Sequence, residues 1–340
     1  MKKKLKSSFG DILISNKHPL AQMANSFRMT PFLQDQVCFI GQKEVFEEGS
    51  ETIFRLMGID VSNKQIQRIS EYYGQRLESE AIEGKEQLPA SNYAEKKPSE
   101  FRYGMVDGSM VFTKEEKWKE IKLGRVFKGS DNIPISKDRH WIQESAYCAY
   151  LGNFQPFLER FELLLIGFPN IVFIADGAKW FWDWVTTFYP QATQILDFYH
   201  VKEYLCGFAK LVFQDKQQRI EWINLQQKLF FRDKVDEVIT GIKAFTGLAG
   251  DTSDFQEKIL TYYENNQTRM QYGTYKKNGF MIGSGPIESA HRNIIQKRLK
   301  LSGQRWSKQG VQQIANLRIA HKSSNWHQVI DMIKVAKIVA

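Results

Sequence analysis

Cysteine is scarce in this 340-residue chain: there are three, Cys38, Cys148 and Cys206, far apart and odd in number. No two are spaced as CxxC, so neither a disulfide framework nor a structural zinc site is supported. Thiols this sparse fit a reducing compartment, and the expected location is the cytoplasm. Proline is also scarce, at nine residues, which excludes a proline-rich linker protein. Long apolar runs are missing. The longest candidate, between Phe161 and Ala175, is broken by Glu162, Gly167, Pro169 and Asn170, whereas a bilayer span needs about 20 apolar residues. No apolar segment follows the basic opening MKKKLKSSFG, so it does not read as a signal peptide. The expectation is a globular chain with no membrane partner. Its length accommodates two or three domains at about 100–200 residues each.

Positive charge is present in excess, with a formal surplus of +9. The surplus has an address. From Ser289 to Ala340 there are ten basic residues (Arg292, Lys297, Arg298, Lys300, Arg305, Lys308, Arg318, Lys322, Lys334 and Lys337) against one acid, Asp331. The other 288 residues balance at 37 basic and 37 acidic. Asymmetry of this kind points to a surface that meets a polyanion.

Along the chain the texture changes several times. Residues 1–30 are basic and without periodicity, and are expected to form a poorly ordered lead. Residues 31–76 carry a helical pattern. In it Ser62 and Gln65 form a capping box flanked by a Val61–Ile66 staple, so a helix is predicted from Ser62. With the helical stretch before the Gly58 turn, this makes a candidate helix-turn-helix. Ile66, Ile69 and Tyr73 would face inward. Asn63, Lys64, Gln67 and Arg68 would face outward, and these are side-chain types that read base edges and phosphates. The local pattern alone fits an ordinary helical hairpin with a solvated face better. Residues 77–100 are polar, with Pro89 and Pro98, and read as a linker.

From Phe101 the pattern turns to β. Three alternating stretches, FRYGMVDGSMVFT, EIKLGRVFKG and SAYCAYLGN, predict an antiparallel meander. The continuous apolar strand NIVFIAD and a further strand, QATQILDFYH, follow, each succeeded by a helix, which makes residues 101–213 mixed α/β. Residues 214–279 lose all strand signal and read as a helical insertion. A new helix starts at GSGPIE, with Gly285 as N-cap and Pro286 at the first helical position. It opens the basic segment 280–340.

Three acids stand out. Asp107 lies inside a strand pattern, Asp176 ends the apolar strand and Glu288 lies in the first turn of the GSGPIE helix. Singly, each has a structural explanation: a hairpin turn for Asp107, a helix cap for Asp176, and dipole compensation with an ion pair to Arg292 for Glu288. Together they describe oxygen ligands for Mg²⁺ or Mn²⁺, and two such ions form the clamp used in attack at phosphodiesters. Asp197 and His200 form a D-x-x-H at the next strand end, read as a hydrogen-bonded brace rather than a metal ligand. Trp306 lies among the cations, where it can stack on an unpaired base or pack in the core.

The segments VDGS, FIADGAKWFWDW, DFYHVKEYL and GSGPIESAHRNIIQKRLKLSGQRWS resemble an insertion-sequence DDE transposase. The likeness is to the Mutator-like group with a C/D-x-x-H motif, and within it to Kra-type elements, over roughly residues 31–325. The resemblance implies a ribonuclease-H-like sheet interrupted by an all-helical insertion, with Asp107, Asp176 and Glu288 as catalytic triad and ligands of two Mg²⁺ or Mn²⁺ ions. It implies cleavage at transposon ends by water, joining of a 3′-hydroxyl to target DNA, a homo-oligomer on double-stranded DNA, and a nucleoid-associated location. It favours the helix-turn-helix reading of residues 31–76. Arg292, Lys297, Arg298, Lys300, Arg305 and Trp306 would then hold DNA. The family's Cys-rich segment ahead of the helical region has no counterpart before Pro31. A truncated, non-catalytic DNA-binding descendant therefore stays an alternative, as does a nuclease of the same fold that cuts without joining.

Overall fold

In a computed structural model, residues 2–7, 10–15, 27, 29–83, 100–136 and 139–335 are described. Its centre is a five-stranded mixed sheet. The meander supplies β3 (Arg102–Thr113), β4 (Lys117–Lys128) and β7 (Ala146–Leu151), paired antiparallel in the order β7-β4-β3, and β8 (Ile171–Ala175) and β9 (Thr193–Leu196) add parallel beyond β3, giving the order β7-β4-β3-β8-β9. Alternation along the strands sorts the core. Tyr103, Met105, Val172 and Ile174 join one hydrophobic cluster, while Val106, Ile171, Phe173 and Ala175 join another on the opposite face. That opposite face is covered by α4 (Phe154–Leu163) and α5 (Lys179–Phe188), whose Phe161, Phe181 and Trp184 rings pack on Phe173. Between β4 and β7 lies a small antiparallel pair, β5 (Asn132–Ser136) and β6 (Arg139–Ile142), which the sequence pattern did not signal.

Three of the expected boundaries are corrected. The basic lead holds an antiparallel pair, β1 (Lys2–Ser7) and β2 (Gly10–Ser15), with Gly10 at a φ of 103° and a Lys4–Asp11 ion pair across the strands. Positive φ is open to glycine at no steric cost, and so the chain can reverse there. The stretch before Gly58 is two helices, α1 (Pro31–Gly41) and α2 (Phe46–Met57), because the chain turns at residues 42–45. The third helix, α3 (Asn63–Glu83), runs well into the expected linker; Glu78 pairs with Arg160 of α4 at 2.5 Å and anchors the extension. Residues 84–99 of that linker lie outside the described residues. The Ser62–Gln65 capping box is present, and Ile66, Ile69 and Tyr73 are fully buried as their spacing requires.

α6 (Phe198–Val212) follows β9. Four further helices, α7 (Lys216–Phe230), α8 (Val235–Lys243), α9 (Asp251–Asn266) and α10 (Tyr272–Lys277), fill the stretch read as an insertion, with no strand among its residues. The helix expected at GSGPIE is α11 (Gly285–Ala290), with Ser284 rather than Gly285 at the cap position. It widens into a π-helical turn at His291–Gln296 and closes with α12 (Lys297–Leu299). α13 (Lys308–Lys322) and α14 (Trp326–Val335) complete the chain. α13 lies against α3 so closely that a Cβ on Gly74 would sit 2.1 Å from the Gln313 carbonyl oxygen, and Asn316 Nδ2 donates to the Gly74 carbonyl at 3.0 Å. Residues of α1–α3 share one hydrophobic cluster with the sheet face that carries Tyr103 and Met105, so the N-terminal helices are continuous with the core. No helix among the described residues is long and apolar enough to cross a membrane.

Candidate active site

The register of the two central parallel strands sets the geometry. Met105 pairs with Ile174, so two residues further along each strand direction Asp107 and Asp176 come level. Both continue the parity of Tyr103–Met105 and Val172–Ile174, which points them to the same side of the sheet. The carboxyl ends of parallel strands are where open α/β sheets place their chemistry. Asp107 lies mid-strand, six residues before the end of β3, so it is not a hairpin-turn residue. Its Oδ1 accepts from Gly108 N–H at 2.7 Å. Asp176 accepts from Ala178 N–H at 3.1 Å, and its own carbonyl accepts from Trp182 Nε1 at 2.6 Å. Burial raises the Asp176 carboxyl; the Ala178 N–H opposes this, and the Asp107 charge pushes it further up. The His200 charge, in contrast, lowers it.

Gly177 follows Asp176 for a steric reason. A Cβ there would meet the Tyr262 ring at 2.2 Å. Tyr262, on α9, stacks on Tyr204 of α6 with centroids 4.5 Å apart, and so the helical segment closes over the Asp176 turn. Burial, and then the Asp176 charge, push the Tyr262 phenol up.

Asp197 is fully buried at the start of α6. Its carboxylate accepts from Tyr199 N–H at 2.9 Å, His200 Nδ1 at 2.6 Å and Ser284 Oγ at 2.6 Å. Burial alone would raise this carboxyl, but the three hydrogen bonds outweigh it and hold the group below its ordinary range. His200 answers in the other direction: its bond to Asp197 pushes the imidazole up to about 9, against burial. The expected brace is therefore a charged pair. Ser284 extends it, lying 3.2 Å from Glu288 Oε1. The hydroxyl carries one proton, and the shorter contact is to Asp197, so Glu288 is held loosely.

Glu288 points to this brace. Among the described residues no group of three or more His, Cys, Asp or Glu side chains converges closely enough to hold a metal ion. Asp107 and Asp176 thus form the carboxylate pair, with Glu288 on the adjoining helix and turned toward Ser284. The helix itself is well fixed. Arg125 Nη1 donates to the Pro286 carbonyl at 2.7 Å, and His291 Nε2 lies 3.0 Å from the Asp107 carbonyl. Burial lowers His291, and its Nδ1 has no hydrogen-bond partner, so the neutral ring donates through Nε2. Ser284, Tyr262, Arg125 and His291 were not singled out from sequence. His291 has a readable signal, three residues after Glu288 on a helix; the others meet the site across long sequence separations.

The residues proposed for DNA divide into two groups. Asn63, Lys64, Gln67 and Arg68 are exposed on one face of α3, with Gln67 bonded to Glu71 and Arg68 over the Phe27 ring at 5.2 Å. Arg292, Lys297, Lys300 and Arg305 are also exposed, and Lys300 Nζ donates to Ser109 Oγ at 2.9 Å, two residues along β3 from Asp107. Arg298 and Trp306 are corrections. Arg298 is completely buried, its guanidinium stacked on Phe46 at 4.6 Å and Trp306 at 4.8 Å, with Nε donating to the Gly41 carbonyl. Trp306 is 7% exposed and packs edge-on against Phe46. Neither presents a group to solvent: Arg298 faces inward with Leu299 and with Ile294 and Ile295 of the π-helical turn, and Trp306 packs on Phe46. Comparison of the chain with protein-family models and with curated proteins finds no match.

Proposed function

We propose that the chain is a DDE transposase of insertion-sequence type, built on a ribonuclease-H-like sheet. The single observation that carries this is the strand register, which sets Asp107 level with Asp176 on one side of the sheet and beside the helix that bears Glu288. The sheet order, three antiparallel strands joined to two parallel ones, supports the fold assignment, as does the all-helical stretch between α6 and α11. The donors fit Mg²⁺ or Mn²⁺: they are carboxylate oxygens only, and Asp176 is raised by burial and by its neighbour's charge. Asp107 and Asp176 would hold the ions, two in the proposed site, and Glu288 would complete the set. Bound divalent ions supply Lewis acidity to the attacking and leaving oxygens of a phosphodiester.

The chain's own residues do the remainder. Lys300, Arg292, Lys297 and Arg305 hold DNA phosphates beside the aspartates, and the exposed face of α3 is the second DNA contact, in the manner of a helix-turn-helix. His200, Asp197 and Ser284 orient Glu288 and are positioning residues. The proposed partners are the transposon ends and target DNA, engaged by a homo-oligomer at the nucleoid.

The test is incubation of the purified chain, with Mg²⁺ or Mn²⁺, on duplexes carrying the DNA that borders its reading frame. Nicked and joined products are expected, and Asp107→Ala should lose both while still binding duplex. Cutting without joining would support a nuclease instead. Binding with no scission by the wild-type chain would support a non-catalytic DNA-binding protein instead.

A further inference from the structure

We propose that Lys43 and Lys322 form a second phosphate-contacting patch, outside the carboxylate site, that grips the backbone of duplex DNA. It rests on the reading that this chain binds DNA, and it adds a surface which that reading did not contain. Lys43 follows α1, and its Nζ lies 5.3 Å over the Phe39 ring. Phe39 packs edge-on against His321 at 5.1 Å and Trp326 at 5.7 Å. One ring cluster thus ties Lys43 to the C-terminal end of α13, where Lys322 is exposed. The charges acting on Lys322 are those of Arg318, Lys297 and Lys43, all positive, and burial and these charges together lower it. His321 is lowered in the same way, by burial and then by Lys322, Arg318 and Lys43.

Acids on the neighbouring elements have other partners, and the two bonded to neutral donors, Asp35 and Glu44, keep their charge. Asp35 accepts from Trp326 Nε1 at 2.8 Å and from Gln36. Glu44 accepts from Thr52 at 2.8 Å, and Asp331 lies 3.7 Å from Lys334. Glu48 acts on Arg298.

Beneath the patch lie two interior cations. Arg318 is 4% exposed and donates to the carbonyls of Ile294, Asn293 and Gln42, with no carboxylate among these partners. Arg298 is fully buried, and neither Nη has a hydrogen-bond partner. Buried charge without a counter-ion is costly, and its field reaches the surface through a medium that screens weakly. The C-terminus of α13 favours one cation by its dipole, but that leaves Lys43 unaccounted for. An external polyanion accounts for both exposed lysines. Duplex is favoured over single strands because the rings here are engaged edge-on with each other, whereas single-strand binding uses free aromatic faces.

The experiment measures binding of the full chain to a duplex of arbitrary sequence across a salt series, for wild type and for Lys43→Gln/Lys322→Gln. Each lost phosphate contact should lower affinity about tenfold near 0.1 M salt and flatten the log–log slope by about one unit. The double variant should therefore lose about two units of slope. Lys43→Arg/Lys322→Arg should restore binding, and the melting temperature of the glutamine variant should stay near wild type. Unchanged duplex binding by the glutamine variant, while Lys300→Gln/Arg305→Gln weakens it, would overturn the patch and leave the DNA reading standing. Failure of the wild-type chain to bind duplex would overturn both. Tighter binding to single-stranded RNA, with the same dependence on Lys43 and Lys322, would assign the patch to RNA and also overturn the proposal.

Discussion

Replacing His200 with Gln removes the cation of the brace while retaining a polar side chain, and pH separates its effects. In the folded chain the imidazole is raised from an ordinary 6.5 to about 9 by Asp197. A raised folded pKa stabilises fully below the unfolded value, so the contribution is complete below about 6.5 and disappears as pH climbs through 9. The Asp197 carboxyl is depressed, so its contribution is present above its unfolded value and is lost as the solution is acidified. At about 1.4 kcal/mol per unit, the His200 shift would amount to about 3 kcal/mol unscreened. The imidazole is 40% exposed, and solvent screening reduces the usable amount to about 1 kcal/mol. The assay is urea unfolding of both proteins at pH 6, 7.5 and 9.5. Wild type should exceed His200→Gln by about 1 kcal/mol at the lowest pH, and the two should converge at the highest. Parallel stability curves across the series would refute a charged His200–Asp197 pair.

Other expectations follow from single contacts. Gly74→Ala forces a Cβ to 2.1 Å from the Gln313 carbonyl; thermal melting should show a loss of about 2 kcal/mol or more, since backbone on a neighbouring helix does not yield cheaply. Arg298→Ala empties the space between Phe46 and Trp306, and should cost about 3 kcal/mol in urea while leaving the slope of DNA affinity against salt unchanged. Ser284→Ala should reduce metal-dependent cleavage about tenfold through misplacement of Glu288, with Ser284→Thr restoring part of it and duplex affinity unaltered.

The sequence made some features legible because they are local or periodic. The capping box at Ser62, the inward stripe Ile66–Ile69–Tyr73 and the apolar β8 run all follow from spacing alone, and the two aspartates were visible as acids in apolar strands. What escaped depends on distant partners. Ser284 meets Asp197 across 87 positions and His291 meets Asp107 across 184, separations over which no periodicity operates. Arg298 escaped for a different reason. Counted as charge it belongs to the basic tract, but its place four residues after Ile294 sets it on the buried stripe, where aromatic faces accept a guanidinium. The charge surplus therefore overstates what the segment shows to solvent, since Arg298 and Arg318 are interior.

In the proposed site Asp107 and Asp176 together hold the divalent ions that cut DNA. Strand cleavage of duplex DNA in Mn²⁺ tests this most directly, comparing wild type with Asp107→Asn and Asp176→Asn, each checked for an unchanged fold and duplex affinity. Wild type should cleave, and both variants should lose about a thousandfold or more. Cleavage by either variant at the wild-type rate would contradict this assignment.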